Sequence, residues 1–334
     1  MFTARLHEGL GIPLVLVVCA AAVAWSGDSE RWSAIVLHAE PIAWVLGVWA
    51  VYGFWWAAQR RRALTVAVGV TLAGAVLHVP PTWVSRSPRP EAPAWLAGVQ
   101  RCAAALGTPE DTARILSWNV ADVDDTARVG QVVAAASPDL TVLYGVADEV
   151  LADALRAELG GESIVLGAPH PAVVHTRGVF HLCGDDAQWS DASGATLLFA
   201  GTTPDTAFPL LLGHLPAPTD PGGWAASASA ARGALAMLVD RLASRSTVVL
   251  ADAHSTATFY RVDADLLDAG AVGVAMPPSW PARLGALPFL PLHPWDRAWV
   301  GPGWRSAGAW RLRAAVGVRA PILVRLEPEP TSAR

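Results

Sequence analysis

Three apolar runs crowd the start of the chain, roughly Leu10 to Trp25, Ile35 to Ala58 and Ala63 to Val79. Each is close to the ~20 residues that a helix needs to cross a bilayer. A 53% hydrophobic content and a mean hydropathy of +0.36 agree that part of the chain belongs in a membrane. The first run also fits a signal peptide, but two further runs follow it and no small-x-small cleavage site precedes "SGDSERW", so three crossings are the reading adopted. His38, Glu40 and Pro41 stand near the start of the second run, which puts its embedded part from about there onward, with the polar pair at the interface.

Charge orients the crossings. "AAQRRRA", between the second and third runs, carries Arg60, Arg61 and Arg62, whereas the first connection is net acidic. The positive-inside rule places the arginine cluster and the amino terminus in the cytoplasm of a bacterial inner membrane, and everything after Val79 in the periplasm. Trp25, Trp32, Trp55, Trp56 and Trp83 fall near the expected boundaries, as interfacial aromatics do.

The net charge is −5, and all 24 basic residues are arginine. A broad basic surface for nucleic acid is therefore not expected, and a lysine-based covalent mechanism is excluded. Cys19, Cys102 and Cys183 lack the paired spacing of a zinc site. Outside the first apolar run only Cys102 and Cys183 remain, and in an oxidising compartment they are the one pair that a bridge could join.

"PPTWVSRSPRPEAP", from Pro80 to Pro93, cannot continue a helix and reads as a stiff linker. Strands follow at "ILSWNVA", "PDLTVLYGV", "SIVLGA", "AVVHTR", "ATLLFAG", "FPLLLGHL", "STVVLADA", "DRAWVG" and "PILVRLE". Helical spacing marks "DTARVGQVVAAAS", "DEVLADALRAELG" ending on Gly160, and "AASASAARGALAMLVDRLAS". The expected division is 1–80 as three transmembrane helices, 81–112 as linker and short helix, 113–327 as one globular domain and 328–334 as a tail. Many strands with few helices predict an α/β (α+β) domain whose sheets are covered by helices.

Five segments in order, "LSWNV", "PDLTVLYGV", "GHLPAP", "VVLADAHS" with "FYR", and "WDRAWVGPGWR" leading into "VRAPILVRL", resemble the endonuclease/exonuclease/phosphatase superfamily over residues 113–327. The resemblance implies a two-sheet β-sandwich flanked by helices, and a Mg²⁺-dependent phosphodiesterase or phosphatase site. In such a site carboxylates hold a hard cation that neutralises the transferring phosphoryl group. Asn119, His214, Asp252 and Asp296 match family site positions. The family's metal-binding Glu is replaced at Tyr144-Gly145, unless Asp148 or Glu149 stands in for it. The family's phosphate-binding Asn is His254, its Asp-His is Asp296-Arg297, and its terminal Ser-Asp-His is Gly317-Val318-Arg319.

Loss of the metal ligand and the general base together predicts a fold retained without its chemistry. The expectation is thus a pseudoenzyme without cofactor, a structural or interaction subunit whose partners are the bilayer and other membrane-protein subunits. Its 16 Trp and loops such as "PPSWPARLGALPFLPLHPW" suit contact surfaces. In that case Arg319 pairs with Asp252 or Asp296 where the ion would be, and Asn119 joins the network. Two competing expectations are a working Mg²⁺- or Mn²⁺-dependent enzyme and an anion-binding cleft lined by Arg297 and Arg319. The Asn-to-His change also raises a transition-metal set of His214, Asp252 and His254.

Overall fold

The computed structural model describes residues 87–105, 111–167, 171–181, 183, 188–190, 195–203, 206–214, 221–242, 246–252, 256–277, 279, 283–284, 287–288, 296–314, 316–317 and 319–329. The three apolar runs and Arg60 to Arg62 lie outside these residues, and no described helix is long and apolar enough to cross a membrane. The chain divides into two compact units. Of the first (Met1–Ser87, Ala217–Ser229, Ser255–Ala264) the described residues are Ser87 and the amino-terminal parts of two helices. The architecture below is that of the second, Pro88–Pro216, Ala230–His254 and Asp265–Arg334.

In chain order the elements begin α1 (Leu96–Ala105), β1 (Ala113–Asn119), α2 (Thr126–Ala136), β2 (Leu140–Tyr144), α3 (Glu149–Leu159), β3 (Glu162–Leu166) and β4 (Ala172–Thr176). They continue β5 (Gln188–Ser190), β6 (Ala195–Thr203), β7 (Thr206–His214), α4 (Pro221–Arg241), β8 (Val248–Asp252), α5 (Thr256–Asp268) and β9 (Val272–Gly273). The chain closes with β10 (Arg283–Leu284), β11 (Leu287–Pro288), β12 (Asp296–Val300), β13 (Trp304–Arg311) and β14 (Ile322–Pro328). One six-stranded sheet runs β13-β14-β1-β2-β4-β3, a second runs β5-β6-β7-β8-β12-β9, and β10-β11 is a small ribbon. Each large sheet contains one parallel pair, β1 with β2 and β7 with β8, among antiparallel neighbours. The protein is thus an α+β fold of two mixed sheets with flanking helices.

The strands read as near-continuous apolar runs because both of their faces are covered. Ala113, Ile115, Leu140 and Val142 point inward and meet Leu210, Leu212, Val248, Leu250, Ala298 and Val300 of the other sheet. Leu116, Trp118 and Leu143 point outward against Val129 and Val133 of α2 and Leu151 and Leu155 of α3. Each large side chain fully buried in these layers contributes about 1.5–3 kcal/mol. Capping agrees with the expected starts: Asp125 accepts from the Arg128 amide (3.0 Å) and Asp148 from the Val150 amide (2.8 Å).

Two elements were not legible as such. Strand β13 alternates poorly and is interrupted at Gly308, yet Trp304 anchors it. Its indole donates to the Ser246 carbonyl (2.8 Å) and meets Phe208 edge-on at 5.6 Å between ring centroids. Helix α5 begins at Thr256, and "FYR" in its first half gives no apolar period by itself.

The segment read as a linker has no regular structure over 87–93, but its end is held down. Arg89 pairs with Asp268 (2.7 Å) and lies 3.8 Å from Asp240. Pro88 packs so close to α4 that a Cβ on Gly233 would come within 2.3 Å of its carbonyl oxygen. A disulfide joins Cys102 of α1 to Cys183, with Cα atoms 5.4 Å apart across a sequence separation of 81. Closing a loop of that length removes chain entropy from the unfolded state, which stabilises the fold by about 4–5 kcal/mol on the entropic account.

Candidate functional site

Strand register assembles the site. Asn119 is level with Tyr144 across the parallel pair β1-β2, and His214 is level with Asp252 across β7-β8. Asp252 is in turn opposite Asp296 on β12. Successive side chains of a strand point to opposite faces. Asn119 therefore shares its inward face with Ala113 and Ile115, Tyr144 with Leu140 and Val142, Asp252 with Val248 and Leu250, and Asp296 with Ala298 and Val300. Four polar side chains from both sheets converge at one end of the layer between them.

They are tied together and sealed. The Asn119 side-chain amide donates to Asp252 Oδ2, and its own Oδ1 accepts from the Ala121 backbone N–H at 3.0 Å. Arg319, arriving from the segment before β14, donates from Nη1 to Asp252 Oδ1 at 2.5 Å. The turn carrying Arg319 is fixed by the Trp118 indole, which donates to the Arg319 carbonyl at 3.0 Å. Tyr144 Oη donates to the Leu250 carbonyl at 3.0 Å, linking the two sheets. Relative exposures are 3% for Asn119, 0% for Asp252 and Asp296 and 7% for Arg319, so these four side chains are buried.

Asp296 is buried with its carboxyl group unsatisfied among the described residues. Neither of its carboxyl oxygens has a hydrogen-bond partner among the described residues. The Asp296 backbone N–H donates to Ser279 Oγ at 3.4 Å. Burial, and then the charge of Asp252, push the Asp296 carboxyl up to about 7, with Arg319 opposing them. Burial and the same two carboxylates also raise the Tyr144 phenol well above its ordinary value, keeping it a neutral donor.

The metal that the family resemblance implies does not fit these residues. Mg²⁺ demands an octahedral shell of oxygens, several from carboxylates and waters. At the position of the family Glu, Gly145 has φ +81° and an added Cβ would lie 2.4 Å from the Ala121 Cβ, so no side chain can stand there. Asp148 cannot replace it, because its carboxylate caps α3 on the Val150 and Leu151 amides, and Glu149 is exposed on the first turn of that helix. Both oxygens of Asp252 are engaged, one by a cation. Among the described residues no group of three or more His, Cys, Asp or Glu could hold a metal ion.

The remaining sequence candidates fare unequally. His214 stands at the expected strand end, and its side chain, like all of His254, lies outside the described residues, as does the set of His214, Asp252 and His254 with them. Arg319 pairs with Asp252, as one of its two expected partners. Arg297, one residue after inward-facing Asp296, falls on the opposite face of β12 by strand alternation. Gly317 has φ +78° and Val318 lies outside the described residues, so Arg319 is the member of that triplet that reaches the site. Tyr144 and Trp118 were not singled out as network members, although the period-two pattern of "LTVLY" already turns Tyr144 inward.

Fold and site together define a two-sheet α+β sandwich with a buried carboxylate–arginine–amide network at the strand ends. No family model and no curated protein matches the chain. Solved structures similar to it include an endonuclease/exonuclease/phosphatase from Beutenbergia cavernae, at 15% identity over 67% of this chain and 74% of that one, with a TM-score of 0.46. An endonuclease/exonuclease/phosphatase from Bacteroides vulgatus is similar at 14% identity over 65% and 99%, with a TM-score of 0.49. The human Nocturnin catalytic domain with bound sulfate is similar at 14% identity over 65% and 94%, with a TM-score of 0.48. Likenesses this loose carry no chemistry from those proteins to this chain.

Proposed function

We propose that this chain is a membrane-anchored pseudoenzyme. Its sandwich domain, facing the periplasm of a bacterial inner membrane, serves as a structural or interaction subunit of a membrane complex such as a respiratory or photosynthetic assembly. The observation that carries this reading is the occupancy of Asp252: Arg319 takes one oxygen and Asn119 the other, all in a buried setting. A guanidinium there neutralises the carboxylate that a divalent cation would otherwise need. The glycine at position 145 adds to this, since it bars the missing ligand sterically. The Cys102–Cys183 bridge favours an oxidising compartment, in keeping with three crossings and a cytoplasmic Arg60 to Arg62. On this reading no cofactor is needed, and the partners are the bilayer and other membrane subunits, not nucleic acid.

The alternative, a Mg²⁺- or Mn²⁺-dependent phosphodiesterase or phosphatase with an altered site, draws support from one feature. Asp296, facing Asp252 and half-protonated near neutral pH, is the kind of perturbed carboxyl that catalytic sites contain. The test assays the full-length protein, purified in mild detergent, for hydrolysis of a generic phosphodiester with either metal, beside Asn119→Ala. The expected result is no metal-dependent turnover, with Asn119→Ala destabilised by roughly 1–3 kcal/mol because the Ala121 amide and an Asp252 oxygen lose their partner. Turnover in the wild type that vanishes in Asn119→Ala without a change in melting would overturn the proposal. A stoichiometric subunit co-purifying from native membranes would identify the assembly.

A further inference from the structure

Helix α1 has ten residues, fewer than the ~12–15 that an isolated helix needs to persist in water, so its order comes from what it packs against. It lies against β7 with Leu96 and Val99 buried, and the Gln100 side-chain amide donates to the Arg241 carbonyl at the end of α4 (2.7 Å). Cys102 adds a covalent fastening to Cys183. Cys183 follows a stretch clipped to β6, where the His181 amide donates to the Phe199 carbonyl and the Gly201 amide to the Val179 carbonyl, each at 2.9 Å. The chain on either side of α1 is held without it. Upstream, Arg89 pairs with Asp268 and Pro88 packs on α4; downstream, β1 is bonded into its sheet from Ala113 onward. Neither core layer described above contains a residue of α1. The helix is thus a strap whose two ends stay in place when its middle lets go, and the bridge sits in that middle.

From this arrangement we infer that the Cys102–Cys183 bridge is a redox-sensitive latch: a dithiol reductant frees α1 from the sandwich while both sheets stay folded, and oxidation closes it again. A thiolate of the reductant attacks Cys102 Sγ, because Cys102 is half-buried whereas Cys183 is 6% exposed, and Cys183 leaves as the thiolate. The reductant's second thiol then resolves the mixed disulfide. Two cysteine thiols and the reductant's own disulfide are the products, with two electrons and two protons passing to the protein. Opening uncovers Leu96 and Val99, an apolar pair that closed α1 hides. On the chain-entropy account, removing a cross-link from the middle of a strap of this length raises its open-to-closed ratio about a hundredfold. An oxidising compartment keeps the latch shut. The inference does not depend on whether the network at the strand ends supports turnover.

The test follows hydrogen exchange in the full-length protein in mild detergent, before and after dithiothreitol, with free thiols counted by alkylation under native conditions. Once two further thiols have appeared, the amides of Leu96 to Ala105 are expected to exchange about a hundredfold faster, while β1, β2, β7 and β8 keep their protection. Reoxidation should slow the α1 amides again. Cys102→Ser and Cys183→Ser should each reproduce the reduced pattern without reductant and lose the response to dithiothreitol. Gln100→Ala, with the bridge intact, should leave α1 protected. One shared opening rate for α1 and the sheets in the reduced protein would overturn the inference and make the bridge a staple of the whole domain. So would α1 amides indifferent to reduction, or a bridge that dithiothreitol reaches only when the sheets themselves open.

Discussion

Replacing Asp296 by Asn tests the site's electrostatics directly. The carboxyl titrates at about 7 in the folded protein and at 3.8 when unperturbed, because burial and Asp252 disfavour its charge. Between those values the native state holds a proton that the unfolded chain has lost, so wild-type stability falls as pH rises, by about 1.36 kcal/mol per unit. Below 3.8 neither state is ionised and the penalty is absent; above 7 it is complete. Integrated from pH 5 to pH 8, the loss comes to about 2–3 kcal/mol. Asn is nearly isosteric and never ionises, and the cost of burying its amide is the same at both pH values, so that cost cancels in the comparison. Urea unfolding of wild type and Asp296→Asn, followed by near-ultraviolet circular dichroism, should show the variant gaining about 2–3 kcal/mol on the wild type between pH 5 and pH 8. Parallel stability curves over that range would refute the argument and place a partner or counter-ion on Asp296.

Four other outcomes follow from the geometry. Gly145→Ala forces a side chain onto Ala121 at a positive φ and should destabilise by about 2 kcal/mol or more, while Gly145→Glu should create no metal binding by calorimetry. Arg319→Met leaves the Asp252 charge buried without its cation and should cost about 3–5 kcal/mol in urea unfolding, and adding Asp252→Asn should recover much of that loss. Reducing the Cys102–Cys183 bridge should lower the melting temperature, with a chain-entropy ceiling of about 4–5 kcal/mol; two titratable thiols in the unreduced protein would contradict the bridge. His175 is buried, bonded through Nδ1 to Ser163 Oγ at 2.9 Å, and lowered to about 4 by burial, Arg156 and Arg177. Its folded value lies below the ordinary 6.5, so the unfolded state takes up the proton first and stability drops as pH falls from 6.5 towards 4; His175→Asn should flatten that limb.

The sequence by itself determined the elements whose signals are local. Apolar runs bounded by Asn119, Tyr144, His214 and Asp252 became strands that end at those residues, Asp296 opens its strand, and Asp125, Asp148 and Gly160 mark helix ends. Local patterns suffice there because side-chain alternation and capping act over a few residues. They gave less where neighbours far along the chain decide. Strand β13, with its small residues and Gly308, forms because Trp304 fits a slot between Phe208 and Ser246. The side of β12 on which Arg297 lies follows from which face of the strand meets the other sheet. The pairing of Arg319 with Asp252, 67 residues away, and of Asn119 with Asp252, 133 residues away, depends on strand register and on the turn that Trp118 fixes. Sequence named the residues that gather at the strand ends. Tertiary structure decided that Asn119, Asp252 and Arg319 bond to one another while the Asp296 carboxyl has no hydrogen-bond partner among the described residues, because no periodicity along the chain specifies which groups meet across the fold.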